Sequence, residues 1–202
     1  LVPQGRYADA KPLAEKALRL IQAALGPEAV QAAEPMSILG DCLRMTGDVE
    51  GGERLQRQAA ALYEKHKATE NDWYGAVLYR LGDVLRMRGN NAEALQVQRR
   101  LGGLLQRLHG ANGPALAVCL SAQAELLRLT GAPHDALPLH ERAVAMARAS
   151  YGDKHAYTAS LVQAHATTLD AVGQYQHAEA LFAEALAAME ARQQSLNGQM
   201  SE

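Results

Sequence analysis

The sequence predicts an all-α fold in which helix pairs stack into a solenoid of about nine helices. Three observations lead there. Hydrophobic residues make up 48% of the 202-residue chain while aromatics are 4%; Ala and Leu dominate and β-branched residues are few, a composition of helix formers. Gly5, Gly47, Gly89, Gly131 and Gly173 recur every 42 positions with no insertion or deletion. Each interval holds two segments of helical apolar spacing.

The chain opens in the second half of a unit. Ala10, Leu13, Ala14, Ala17, Leu18 and Ile21 follow the i, i+3, i+4, i+7 pattern of one helix face, ending near Leu25-Gly26-Pro27. This segment, helix B of a half repeat at 5–26, is followed by repeats at 27–68, 69–110, 111–152 and 153–194 and a polar tail at 195–202. Helix A of each repeat precedes the periodic glycine and helix B follows it. Residues 76–87 are a clear helix A, and His109-Gly110 and Tyr151-Gly152 are expected stops of helix B. Asn71 and Asn112 stand where helix A begins and read as N-caps.

Columns within the repeat predict the packing. Ala10, Gly52, Ala94, Ala136 and Ala178 form a small-residue column on helix B, and Gly40, Gly82, Ala124 and Ala166 form one on helix A. Glycine inside a helix costs about 1 kcal/mol relative to alanine, so Gly40 and Gly82 point to a backbone crossing that a larger side chain would block. Pro12 and Pro138 share a column and are expected in the first turn or so of helix B, where a missing N–H does little harm. Gly102-Gly103 marks a packing or bending point.

Residues 5–18 and 173–186, which share Gly-x-Tyr-x-x-Ala, resemble tetratricopeptide repeats, and the 42-residue unit with its Ala-x-Pro-Leu signature at 10–13 and 136–139 is similar to the kinesin-light-chain-like branch. The resemblance covers nearly the whole chain. It implies a single right-handed solenoid over 1–202, with the A helices lining a concave groove that holds a protein or peptide. With no helix A before Tyr7 and no polar capping helix after Met189, the chain is expected to be a piece of a longer solenoid, or to pair with a second copy through an uncapped end.

The expected groove carries a regular polar stripe. Asp41, Asp83 and Glu125 form an acidic column, and Arg44, Arg86 and Arg128 a basic one three residues later. Ser37, Tyr79, Ser121 and Gln163 lie one turn earlier, and Thr167 and Asp170 break the charge pattern in the fourth copy. Acid and base three apart either pair with each other, for a few tenths of a kcal/mol, or offer arginine forks to a ligand's carboxylates and carbonyls. The groove asparagines common in kinesin-light-chain-like proteins are missing here, which argues against carrying over that branch's cargo motif.

Other chemistries find little support. A formal charge of −2 gives no pull toward nucleic acid, and no apolar run reaches the roughly 18 residues of a membrane span. His134 and His140 are six apart, off a shared helix face, and His140-Glu141 lacks a second histidine at metalloprotease spacing, so no metal, cofactor or catalytic residue is expected. Cys42 and Cys119 occupy different repeat positions and read as buried thiols in a reducing, cytoplasmic setting. The expected function is a protein-interaction scaffold that is not an enzyme. The alternative is a sensor or oligomerisation module of a larger signalling or transcription regulator.

Overall fold

The structure, a computed structural model, describes residues 7–199, with side chains to 194; Gly5 and residues 200–202 of the expected tail lie outside the described residues. Among the described residues nine α-helices follow one another: α1 (Tyr7–Leu25), α2 (Ala33–Met45), α3 (Val49–Lys65), α4 (Asp72–Met87), α5 (Asn91–His109), α6 (Pro114–Leu129), α7 (Pro133–Tyr151), α8 (Ala156–Ala171) and α9 (Tyr175–Gln199). A short 3-10 turn, Val30–Ala32, leads into α2, and no strand occurs among the described residues. Even-numbered helices are the A segments and odd-numbered ones the B segments. Helix α9 runs on through 195–199, residues assigned to the polar tail in the sequence.

The periodic glycine has a specific task. Gly47, Gly89, Gly131 and Gly173 all take positive φ, which lets the next residue donate its N–H back to the carbonyl five positions earlier. Asp48 reaches Leu43, Asn90 reaches Leu85, Ala132 reaches Leu127 and Gln174 reaches Leu169, each at 2.9 Å. This bond closes a Schellman motif and satisfies a carbonyl orphaned by the helix end. The turn between A and B is therefore the same in every copy. At the other turn Gly26, Gly110 and Gly152 also take positive φ, but the second copy has Ala68 there and shifts the strained conformation to Lys67 at φ 53°.

Helix starts are capped by different means. The Asp48 carboxylate accepts from Gly51 N at 2.8 Å, and Asn71 Oδ1 accepts from Tyr74 N at 2.9 Å. Asn112 is not the cap of α6. Pro114 takes the first helical position, where its ring needs no N–H, and this makes Gly113 the cap. The placement of Pro138 near the start of helix B is made definite too. Helix α7 begins at Pro133, two residues after its glycine as in the other copies, so Pro138 falls at the sixth helical position, in the second turn, and Pro12 likewise lies inside α1.

The chain packs as two units, residues 1–104 and 105–202, with the boundary inside α5 just after Gly102-Gly103. In the first, α1 packs on α2, α2 on α3, α3 on α4, and α2 also touches α4 directly. Its core is built from Met36, Leu39, Cys42, Val77, Leu78, Leu81, Leu85 and Leu104. Each fully buried leucine contributes about 2 kcal/mol relative to an exposed one. Tyr74 anchors one side: its hydroxyl donates to Glu64 at 3.1 Å, and the Arg100 guanidinium sits 5.1 Å above its ring.

The small-residue crossing of α2 and α3 is real. A Cβ on Gly40 would stand 3.0 Å from the Gly52 carbonyl oxygen, and one on Gly52 only 2.8 Å from the Gly40 carbonyl oxygen. Beneath the crossing lies buried Gln56, which donates to the Ser37 carbonyl at 2.7 Å and accepts from the Ser37 hydroxyl at 2.8 Å. In the second unit α6 packs on α7, α7 on α8, α8 on α9, and α6 touches α8. Leu116, Leu120, Leu126, Val144, Leu161, Val162 and Leu169 form its core. Cys42 and Cys119 are both buried and are not joined in a disulfide.

Candidate interaction face

Within each unit the A helices lie directly against one another, α2 on α4 and α6 on α8. Their outward stripes are thereby merged into a shared surface.

On the first of these surfaces Arg44 is the hub. Its guanidinium donates to Asp41 at 2.7 and 3.1 Å, lies 3.0 Å from Asp83 on the neighbouring helix, and donates to the Met87 sulfur at 3.3 Å. The side chain is 16% exposed. Burial works against its charge, but the Asp41 hydrogen bonds and both carboxylates outweigh that and hold its pKa above the ordinary arginine value. Asp83 is shared, since Arg86 also donates to it at 3.0 Å.

Arg80 belongs to the same network. It donates to the Ser37 hydroxyl at 3.1 Å and lies 3.9 Å from Asp41. The repeat columns overlooked it because Ile38, Ala122 and Ala164 occupy the equivalent positions. Three arginines thus share two aspartates, leaving a surplus of one positive charge.

Availability differs sharply among the sequence-derived residues. Ser37 is buried and spent on Gln56 and Arg80. Tyr79 is 47% exposed, and the Arg86 side chain 46%. Partial burial, with Asp83 nearby, raises the Tyr79 hydroxyl pKa against the opposing pull of Arg44. Met45 and Met87 present apolar area beside these groups at the ends of α2 and α4.

The second surface repeats the local pair but not the bridge between helices. Arg128 donates to both Glu125 oxygens, at 2.7 and 2.8 Å. The place that corresponds to Asp83 holds Thr167, whose hydroxyl turns back to the Gln163 carbonyl at 3.0 Å. Ser121 is half-buried and Gln163 exposed.

The odd-numbered helices carry a separate set of ion pairs. Glu53 is nearly buried between Arg57 and Arg88, at 2.8 and 2.7 Å, and Arg57 continues to Glu93 at 2.6 Å. Burial favours the neutral Glu53 acid, but the two arginines prevail and lower its pKa. Among the described residues, no three His, Cys, Asp or Glu side chains are grouped to hold a metal ion, and no helix is long and apolar enough to cross a membrane.

Among solved structures the chain is similar to the nearly identical TPR-like repeats of a Podosopora anserina kinesin light chain, with 20% identity, TM-score 0.78, and 94% of this chain and 90% of that one covered. BtubC (BKLC) from P. vanneervenii matches at 18% identity and TM-score 0.84 over 94% of this chain and 76% of that one. MamA matches at 15% and 0.66 over 96% and 99%. At these identities the likeness speaks for the fold alone. No curated protein matches the chain in sequence. The tetratricopeptide repeat pattern matches residues 1–65, 73–149 and 122–191, most of the length, and the chain belongs to the tetratricopeptide repeat family.

Proposed function

We propose that this chain is a protein-interaction scaffold that holds a peptide or partner segment on the face formed by α2 and α4. The observation that carries the reading is the contrast within one surface. Arg44 is locked by two aspartates, while Tyr79 and Arg86 beside it are half exposed. A rigid charged base with adaptable groups above it lowers the ordering cost of binding. Aromatic and arginine side chains are also the types that dominate interface energetics. Asp41, Arg44, Asp83 and Arg80 shape the floor, while Tyr79 and Arg86 make the contacts. Glu125, Arg128, Ser121 and Gln163 provide a second, weaker surface on α6 and α8. A reducing, cytoplasmic setting belongs to the same proposal, supported by two buried thiols that form no disulfide.

The test uses the exposed pair, because reversing Arg44 would set a carboxylate against Asp41 and Asp83 and endanger the fold. A displayed peptide library is selected on the wild-type chain, and the selected peptides are titrated onto it and onto a Tyr79→Ala/Arg86→Glu variant of equal helicity. Loss of at least about tenfold in affinity is expected, a coupling of about 1.4 kcal/mol. Equal binding by both proteins would move the site off this face.

A further inference from the structure

The repeat allows one position on helix B to be compared across copies. Gln56 and Gln98 are both buried, and Gln56 meets its backbone and hydroxyl partners with an uncharged amide. The next copy has His140 there, fully buried in α7. Among the described residues neither of its ring nitrogens has a hydrogen-bond partner. His140 stacks on His165 of α8, with ring centroids 5.9 Å apart and planes 21° apart. His165 is buried as well, and its Nε2 likewise has no partner.

Two imidazoles thus lie face to face where α6, α7 and α8 meet. A neutral imidazole keeps one N–H, and an unpartnered buried donor already costs about 1–3 kcal/mol. A proton added to either ring would place a charge in an apolar junction beside a second imidazole.

The surrounding charges give little relief. Of the α6 groups acting on His140, Glu125 favours the proton and Arg128 opposes it. For His165, Glu141 of α7 favours the proton and Arg148 opposes it. Arg148 itself is held by Asp153 and by Glu184 of α9. Burial therefore dominates and depresses both rings, His140 to about 4.

We propose that the stacked His140–His165 pair is an acid-sensitive joint: it takes up a proton only when the α6–α7–α8 junction opens, so mild acid loosens the second unit while the Gln56 repeat of the first holds. The sign follows from linkage. A ring depressed in the folded state and ordinary in the unfolded state makes the unfolded chain bind more protons between the two pKa values. Stability from the pair is complete above about pH 6.5 and falls as pH drops toward 4. Between pH 7.5 and pH 5, His140 alone raises the opening constant about 30-fold.

The experiment is hydrogen exchange on the full chain at pH 7.5 and pH 5, read as protection factors so that intrinsic exchange rates divide out. Amides of α6, α7 and α8 should lose about 30-fold protection, those of α2 and α3 much less, and His140→Gln should remove most of the loss. Equal loss in both units, or the same loss in the variant, would overturn the proposal. Should that variant fail to fold, the wild-type imidazole proton signals decide. A His140 signal that titrates near pH 6.5 in the folded protein overturns the proposal, and one that resists protonation until the unit opens supports it.

Discussion

Replacing Gly52 and Gly75, one at a time, by alanine tests the packing argument with its own control. Both glycines lie inside helices, so each substitution gains about 1 kcal/mol of helix propensity. Their surroundings differ. At Gly75 the nearest atoms to a new Cβ are methyl carbons of Leu101 and Leu104, both at 3.6 Å, which is ordinary contact. Gly75→Ala should therefore stabilise the first unit by about 1 kcal/mol. At Gly52 the new Cβ would stand 2.8 Å from the Gly40 carbonyl oxygen and 3.1 Å from Arg44 Cβ. The first of these is backbone on the partner helix and cannot rotate away. Relief requires α2 and α3 to part by several tenths of an ångström, an overpacking cost of about 1–3 kcal/mol that offsets or exceeds the propensity gain. The movement also disturbs the Gln56–Ser37 bonds and the base of Arg44. The two variants should differ by about 1–3 kcal/mol, with Gly75→Ala the more stable. Urea unfolding followed by circular dichroism measures this directly, with equal m-values required for the comparison. A Gly52→Ala protein as stable as Gly75→Ala would refute the claim that a close backbone crossing selects glycine there.

Other consequences are simpler to check. Asp48→Ala removes the carboxylate that caps α3 and should cost about 1 kcal/mol in urea unfolding, whereas Asp48→Asn should retain most of it. Arg44→Ala strips the shared partner from Asp41 and Asp83 and should cost about 1–3 kcal/mol, against at most about 0.5 kcal/mol for the more exposed Arg86→Ala. Thermal melts of the two variants should separate clearly. Leu85→Ala, at a fully buried site in α4, should lose about 2–5 kcal/mol.

The architecture was legible because repetition multiplies weak signals. A lone glycine says little, but a glycine every 42 positions, each followed by the same small and aliphatic columns, identifies one turn used repeatedly. The structure supplies the reason, a shared back-bond from the residue after the glycine. What misled at the boundaries was local chemistry that differs between copies. Pro114 displaced the cap from Asn112 to Gly113.

The interaction face was legible only in outline, for a related reason. Residues three apart on a helix can pair or point outward, and spacing alone does not choose between these. The choice depends on what the neighbouring helix offers. Arg44 is drawn inward because Asp83 waits across the A–A contact, while Arg128 keeps only its local partner because Thr167 stands where an aspartate would be needed. Serine one turn earlier was expected beside a ligand, yet Ser37 is spent under the surface on Gln56.

Periodic and aperiodic residues thus carry different information. A column kept in every copy is explained by the turn or crossing that every copy must make, and it needs no partner to account for it. Arg80 departs from its column and ties Ser37 to Asp41 where other copies place alanine or isoleucine. His140 stands where two other copies place buried glutamines, Gln56 and Gln98, and meets His165, whose own column holds Leu39, Leu81 and Gln123. Stacking helices does not require two adjacent imidazoles with unpartnered ring nitrogens, since Gln56 fills the equivalent place with its hydrogen bonds met. The properties particular to this chain are therefore to be sought where the period breaks: the charge surplus of the first unit at Arg80, and the acid response of the second at His140 and His165.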